Sequence, residues 1–334
     1  MHYHLPAPEY LHPRALAIRP YDRGLHDLGN GVFAYLQPNG SWGWSNAGLI
    51  LDGDQALLVD TLFDLHLTRS MLDEMYRADR RAQRIDTLVN THANPDHTNG
   101  NTLLPGARVI ASRRTAQEMS RETPEMLAGI MRKAKLSIDP VSRYLVECFG
   151  AFDFEGIPQT AATETFTGCT SLTVGSKRVE LIELGSAHTG GDVVIHVPAD
   201  RIVYTGDLLF VGGHPVMWSG PIENWIAACD YLMSLDIDYV VPGHGPITDK
   251  RGIRAVRDYL SLVRHEARRA YEANIPVEQA ARQIGSDLSR IGYAEWSDGE
   301  RLLITVTVIY RQLSDEREPM NIGAMFGAMA KYKG

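Results

Sequence analysis

Short apolar runs closed by polar turns fill residues 28–250, and longer amphipathic stretches follow them. Val32 to Leu36, Ala47 to Leu51, Ala56 to Val59 and the run at Ile85, Leu88 and Val89 have the length of buried strands. Pro38-Asn39-Gly40-Ser41 and Gly53-Asp54 supply turns between them. Leu65, Leu67, Leu72 and Met75 predict a helix over residues 64–78, making a strand-helix-strand unit with the Ile85 run. Ala107 to Ala111 predicts another strand, and a helical segment starts at Thr115. Residues 119–150 read as a mainly helical insertion whose Met119, Met126, Leu127, Ile130 and Met131 form a soft surface, suited to core packing or to a pocket wall.

A second strand series follows at Ser171 to Val174, Val179 to Leu184, Asp192 to His196 and Arg201 to Tyr204, after a stretch at 156–166 with little periodicity. Residues 221–234 predict a helix with Ile222, Trp225, Ile226, Cys229 and Leu232 on its apolar face, and Tyr239 to Val241 a strand. Helices are expected over 251–272 and from Pro276 to Ile284. In Leu302 to Leu313 strand and helix compete, and the face shared by Val306, Ile309 and Leu313 favours helix. The apolar tail with Met320, Met325, Phe326 and Met329 is expected to dock on the body or on a second subunit, so a homo-oligomer is open. Trp42 and Trp44 alternate around Gly43 and would share one face if that piece is extended.

At 334 residues with 44% hydrophobic content, the chain can bury a large core. The pattern divides it into an N-terminal arm (1–25), a main α/β domain (26–250, with the 119–150 insertion) and a mainly helical C-terminal extension (251–334). A net charge of −8 without a compensating Lys/Arg block argues against a nucleic-acid partner. Arg80, Arg81 and Arg84 read as a solvated helix end. Cys148, Cys169 and Cys229, odd in number and widely spaced, read as reduced, buried thiols of a cytoplasmic protein. No run has the length of a membrane span, and Met-His-Tyr-His-Leu-Pro lacks the basic start and apolar segment of a secretory signal. His2 and His4 are assigned to a chain end rather than to a site.

Candidate chemistry concentrates in residues 90–101, Asn-Thr-His-Ala-Asn-Pro-Asp-His-Thr-Asn-Gly-Asn. His92, Asn94, Asp96 and His97 crowd a strand end, where Pro95 predicts a shaped loop rather than a helix. Imidazole and carboxylate there are costly to keep dry without partners, which a bound cation supplies. The alternative is a polar turn carrying two surface histidines. Three more polar residues close apolar runs in a similar way: His188, Asp207 and His244. His196, inside a strand, reads as structural.

This ordered set of motifs resembles the metallo-β-lactamase superfamily of metal-dependent hydrolases, over roughly residues 28–250. The resemblance implies an αβ/βα four-layer sandwich with the site at the shared strand-loop edge. The superfamily's His-x-His-x-Asp-His loop matches His92, Asp96 and His97, with Asn94 where the second histidine stands. It further implies one metal set of His92, Asn94 and His188, a second of Asp96, His97 and His244, and Asp207 bridging them. Asp60 would brace the His92 loop beneath the metals. Two Zn2+ ions per chain are expected, the donor set also admitting iron or manganese, with the Asn94 site the weaker. Thr-His-Ala-Asn-x-Asp-His followed by Gly-Asn also resembles a branch of bacterial polyketide cyclases and thioesterase-like enzymes, from which Pro95 departs where that branch has glycine.

The expected activity is hydrolysis of an ester, thioester or lactone by metal-activated hydroxide, with Asp96 orienting the nucleophile and His214 as a candidate proton donor to the leaving group. Cyclase or lyase chemistry on an aromatic or polyketide-like oxo compound is the first alternative, and a non-enzymatic metal-binding scaffold the second. Trp42, Trp44, Met126, Phe149, Trp218 and Trp225 favour a small organic substrate with an apolar or aromatic portion, with Tyr204 a further candidate for the pocket. No cationic cluster is evident near the ligand loops.

Overall fold

The computed structural model describes residues 11–316 and 320–334, so His2 and His4 lie outside the described residues. Twelve strands among them form two sheets. The first sheet runs in chain order through β1 (Gly24–Gly29), β2 (Val32–Leu36), β3 (Ala47–Asp52), β4 (Gln55–Val59), β5 (Ile85–Val89), β6 (Arg108–Ser112) and β7 (Glu164–Phe166). Its first four strands are antiparallel hairpin neighbours, and β4 to β7 pair in parallel. The second sheet is ordered β12 (Tyr239–His244), β11 (Ile202–Phe210), β10 (Val193–Val197), β9 (Lys177–Glu183) and β8 (Cys169–Val174).

Alternation along the strands builds the layers. Leu57 and Val59 of β4 point into an apolar cluster shared with Leu181, Val193, Ile195 and Ile202 of the opposite sheet. Ala56 and Leu58 turn the other way, into a cluster with Leu67, Met71 and Met75 of α2 (Leu65–Ala78). Val203 likewise joins Ile226 of α7 (Ile222–Ser234) and Val256 of α8 (Lys250–Glu272). Helices thus cover both outer faces of two facing sheets, the αβ/βα sandwich that the motifs implied. Tyr204 packs between the sheets: its hydroxyl donates to the Phe33 carbonyl at 2.8 Å, and a Cβ on Gly48 would fall 2.2 Å from its ring. It is a core residue, not part of a pocket.

The remaining helices are α1 (Pro13–Leu16), α3 (Pro95–Thr98), α4 (Arg113–Met119), α5 (Pro124–Ala134), α6 (Pro140–Phe149), α9 (Val277–Leu288), α10 (Arg301–Leu313) and α11 (Ile322–Lys333). Residues 302–313 are helical and apolar nearly all round because they pack among neighbouring helices; Leu302, Leu303, Ile304, Val306, Val308 and Ile309 are all buried. The tail docks on the body through Met325, Phe326 and Met329. Side chains of the 251–334 extension join the same large core cluster as those of α2 and α7. Strand β1 begins inside the stretch read as an arm, and the segment before it is tied down by the Trp296 indole, which donates to the Leu11 carbonyl at 2.9 Å. In the insertion the methionines divide, Met119 and Met131 buried and Met126 exposed.

Three readings need correction. Cys148 and Cys229 are buried, but Cys169 is exposed on the edge strand β8; all three are free thiols. The Trp42–Trp44 piece is not extended: Gly43 has φ +75°, and a Cβ there would lie 2.3 Å from the Phe63 ring. The indoles therefore part, Trp42 joining Phe149, Trp218 and Phe326, and Trp44 joining Phe152. The third concerns the focal loop, where Pro95 opens the single helical turn α3. Proline suits that first position because its missing N–H has no helical partner anyway, and Asn94 before it is extended. No helix among the described residues is long and apolar enough to cross a membrane.

Candidate metal centre

The parallel pair β4–β5 sets the foundation. Beyond β4, Asp60 turns with φ +59° and accepts from the Thr91 amide at 2.8 Å and the Thr91 hydroxyl at 2.7 Å. Its Oδ2 also lies 3.0 Å from His97 Nδ1. A buried carboxylate thus fixes the loop after β5 and the ring of His97 together, the bracing role expected of it. His188 follows β9, Asp207 lies within β11, and His244 ends β12. Gly206 has φ +50° and approaches Thr91 so closely that a Cβ would sit 2.5 Å from its hydroxyl. The β11–β12 register shifts there, aiming Asp207 at the first sheet's loop.

Each of the four imidazoles is held from behind through Nδ1. His188 Nδ1 faces the Val216 carbonyl at 2.7 Å, and His244 Nδ1 the Gly40 carbonyl at 3.0 Å. A carbonyl only accepts, so these Nδ1 atoms carry hydrogen and the Nε2 atoms face inward. His92 Nδ1 lies 3.0 Å from the Thr91 hydroxyl. Around the first set, Asn94 Oδ1 is 2.7 Å from His188 Nε2 and 3.1 Å from His92 Nε2, while Asp207 Oδ2 lies 3.4 and 3.7 Å from the same two nitrogens. Around the second, His244 Nε2 is 3.3 Å from Asp96 Oδ2 and 3.4 Å from Asp207 Oδ2. His97 Nε2 is 3.1 Å from Asp207 Oδ1 and 4.0 Å from Asp96 Oδ2. The structure therefore brings together all seven residues predicted as ligands: His92, Asn94, Asp96, His97, His188, Asp207 and His244.

These atoms fit divalent cations. Four donors about 2.0–2.1 Å from a tetrahedral ion stand roughly 3.3 Å apart, within the range of separations here. His97 Nε2 and Asp207 Oδ1 are buried and, beyond their 3.1 Å approach to each other, find no hydrogen-bond partner among the described residues. Such orphaned polar atoms, aimed at one another's surroundings, call for a ligand. His92, His97 and Asp207, and separately Asp96, His97 and His244, each bring donor atoms within 4.8 Å of one another. Electrostatics point the same way. Burial and the adjacent His97 push His92 well below the ordinary imidazole value. At His97 and His244 burial is outweighed by Asp207 and Asp96, and both are raised, His244 to about 9. Asp207 is held well below the carboxylate range, burial being overcome by His244, His97 and His92. The set takes up positive charge, as protons or as cations.

Other predicted site residues fall elsewhere. His214 is buried, its Nδ1 2.8 Å from the Tyr259 hydroxyl and its amide donating to the Ser297 carbonyl. It is not gathered with the ligand side chains, and burial with the nearby Arg301 lowers its pKa to about 4. Trp225 is core, donating to the Leu208 carbonyl and standing edge-on behind His188. His196 faces Glu180 at 3.2 Å within the second sheet, a structural role as expected. Trp218, whose amide donates to the His188 carbonyl, joins Trp42, Phe149 and Phe326 as an aromatic wall beside the centre.

Two residues of the extension had no signal in the sequence. Glu300 is buried, accepts from the Tyr144 hydroxyl at 3.0 Å, and lies 3.5 Å from the Trp42 indole nitrogen and 3.6 Å from Lys333 Nζ. It thereby ties the wall to α6 and α11. Arg301 beside it stacks on Trp42, bringing a cation next to the centre where none was expected.

A model of the metallo-beta-lactamase superfamily matches residues 40–244. The chain is 23% identical over 247 residues to the 2,4-dinitroanisole O-demethylase subunit alpha of Nocardioides sp. (strain JS1661), covering 72% of this chain and 60% of that one. It is 26% identical over 214 residues to the metallo-beta-lactamase type 2 of Bacillus sp. (strain 170), covering 61% and 68%. In fold it is similar to a stereoselective inverting sec-alkylsulfatase from Pseudomonas sp., with a TM-score of 0.65 at 16% identity over 87% of this chain and 50% of that one.

Proposed function

The chain belongs to the metallo-β-lactamase superfamily, and from that premise we propose that it is a cytoplasmic, metal-dependent hydrolase of a carbonyl ester, thioester or lactone with an apolar or aromatic portion. One observation carries the metal-dependent part. Four inward Nε2 atoms, two carboxylates and the Asn94 oxygen converge, with His97 Nε2 and Asp207 Oδ1 facing only each other, 3.1 Å apart. His92, Asn94 and His188 would hold one zinc ion, Asp96, His97 and His244 the other, and Asp207 both.

Bound divalent cations supply a water whose pKa falls from about 15.7 toward 7 and a Lewis acid for the carbonyl oxygen. The chain's own residues do the rest. Asp60 holds the His97 ring, and the Val216 and Gly40 carbonyls hold His188 and His244, so the donor set is fixed before substrate arrives. Asp96, with 13% of its side chain exposed, is the most accessible carboxylate of the set and is placed to orient the attacking water. Trp42, Trp218, Phe149 and Phe326 favour an apolar group and exclude bulk water. The named relatives act on different compounds, so the choice of ester, thioester or lactone is for a substrate panel to decide.

The test has two readouts on protein purified without chelator. Elemental analysis should find about two divalent ions per chain, and a panel of aromatic esters, thioesters and lactones should give products equal in mass to substrate plus water. Products lacking a water would move the assignment to cyclase or lyase chemistry, and retained metal with no turnover across the panel would favour the scaffold reading.

A further inference from the structure

Arg301 is the first residue of α10 and is 1% exposed. Its guanidinium carbon lies 4.2 Å from the Trp42 ring centroid and 5.3 Å from that of Phe210. Phe210 stacks on His244, with centroids 5.1 Å apart and planes 5° from parallel, and lies 5.5 Å from the His188 ring. A single aromatic ring therefore separates this cation from ligands of both metal sets. Rings against a guanidinium leave its donors to be used in its own plane. Nη2 meets Asp298 Oδ2 at 3.2 Å. Nε and Nη1 are buried with no hydrogen-bond partner among the described residues.

Such donors are costly to leave unmade, and a charged one more so. Asp298 meets Nη2 and not these two donors; its Oδ1 also accepts from the Ser41 hydroxyl at 2.7 Å and its Oδ2 from that of Ser297 at 3.0 Å. If Arg301 served only to support Trp42, a methionine would stack as well without the buried charge. A guanidinium has one property methionine lacks: charge-assisted hydrogen bonding to an oxyanion.

We propose that Arg301 receives an anionic group of the substrate, a carboxylate or a similar oxyanion, so that the compound hydrolysed has an apolar or aromatic body and a negative charge. The inference rests on the centre proposed above being the substrate site, and it names the class that this site selects.

Binding of phenylacetate and phenylacetamide to the zinc-loaded protein, measured by titration calorimetry, tests it without requiring turnover. An absence of hydrolysis in the panel thus leaves this result standing, and the reverse. Phenylacetate should bind at least tenfold more tightly than the amide. Arg301→Met should bring the two within twofold, and Arg301→Lys should leave an intermediate preference, with zinc content unchanged in both. Equal binding of acid and amide to the unaltered protein overturns the proposal. So does a tenfold preference that survives Arg301→Met, which would place the anion on the cations. Should Arg301→Met fail to fold, Asp298→Asn replaces it. Removing the competing carboxylate should tighten phenylacetate severalfold and leave the amide unchanged, and an unchanged acid affinity counts against the assignment.

Discussion

At the residue scale, the seven side chains that the fold brings together were legible because they are polar groups at or near the ends of apolar runs, a costly place for imidazole or carboxylate without a partner. Which partner each would face was legible only through the family resemblance, since His188 and Asn94 lie far apart in the chain yet meet at 2.7 Å. Arg301 was invisible for a different reason: one arginine at the start of a helix is ordinary until its stacking rings are known. Asn94 and Asp207 yield separate predictions. An amide oxygen is a neutral donor, weaker toward zinc than imidazole. Asn94→His should therefore tighten one of the two zinc-binding steps by tenfold or more in a calorimetric titration, without faster turnover. Two equally tight steps in the unaltered protein would contradict that. Asp207 approaches His97 through Oδ1 and both His188 and His244 through Oδ2. Asp207→Asn removes the one negative charge common to both sets, so turnover on an established substrate should drop at least a hundredfold while the circular dichroism spectrum is kept.

At the element scale, strands whose side chains alternate between two apolar clusters were read from pattern alone, as in β4. Strand β7 was missed because its three residues are largely exposed at a sheet edge and carry no alternation. The helical turn at Pro95 was missed because one turn has no periodicity to show. Tyr204, named as a candidate for the pocket, packs between the sheets instead. Its true place makes Gly48 a test of how the sheets meet. A methyl group there would fall 2.2 Å from the Tyr204 ring, and that ring cannot retreat without losing its bond to the Phe33 carbonyl. Gly48→Ala should destabilise the fold by about 2 kcal/mol or more in urea unfolding, as overpacking of a closed core does. A change within about 0.5 kcal/mol would mean that the sheets separate freely.

At the scale of the whole molecule, the C-terminal extension was legible as helices but not as part of the site. Glu300 and Arg301 belong to it by sequence and to the Trp42 wall by contact. His214 shows how far that union goes: it is packed by Tyr259 of α8 and lies close to Gly299, while its backbone bonds Ser297. Burial first, and then Arg301, lower its pKa from near 6.5 to about 4. The sign follows from which state binds the proton. Between those values the unfolded chain takes up a proton that the folded chain refuses, so the stability from burying a neutral ring is full above about pH 6.5 and declines as pH falls toward 4. The difference corresponds to a ceiling of about 3 kcal/mol. Acid would also release metal held at the proposed ligands His92, His97, His188 and His244, which would steepen the same decline. Comparison with His214→Gln separates the two, because the variant keeps every ligand and loses only this titration. Urea unfolding of both proteins at pH 7 and pH 4.5 should therefore show the unaltered protein losing about 1–3 kcal/mol more than the variant. Parallel losses would mean that His214 is already protonated, or solvated, in the folded protein, and that the extension closes on the sandwich less tightly than the His214–Tyr259 contact indicates.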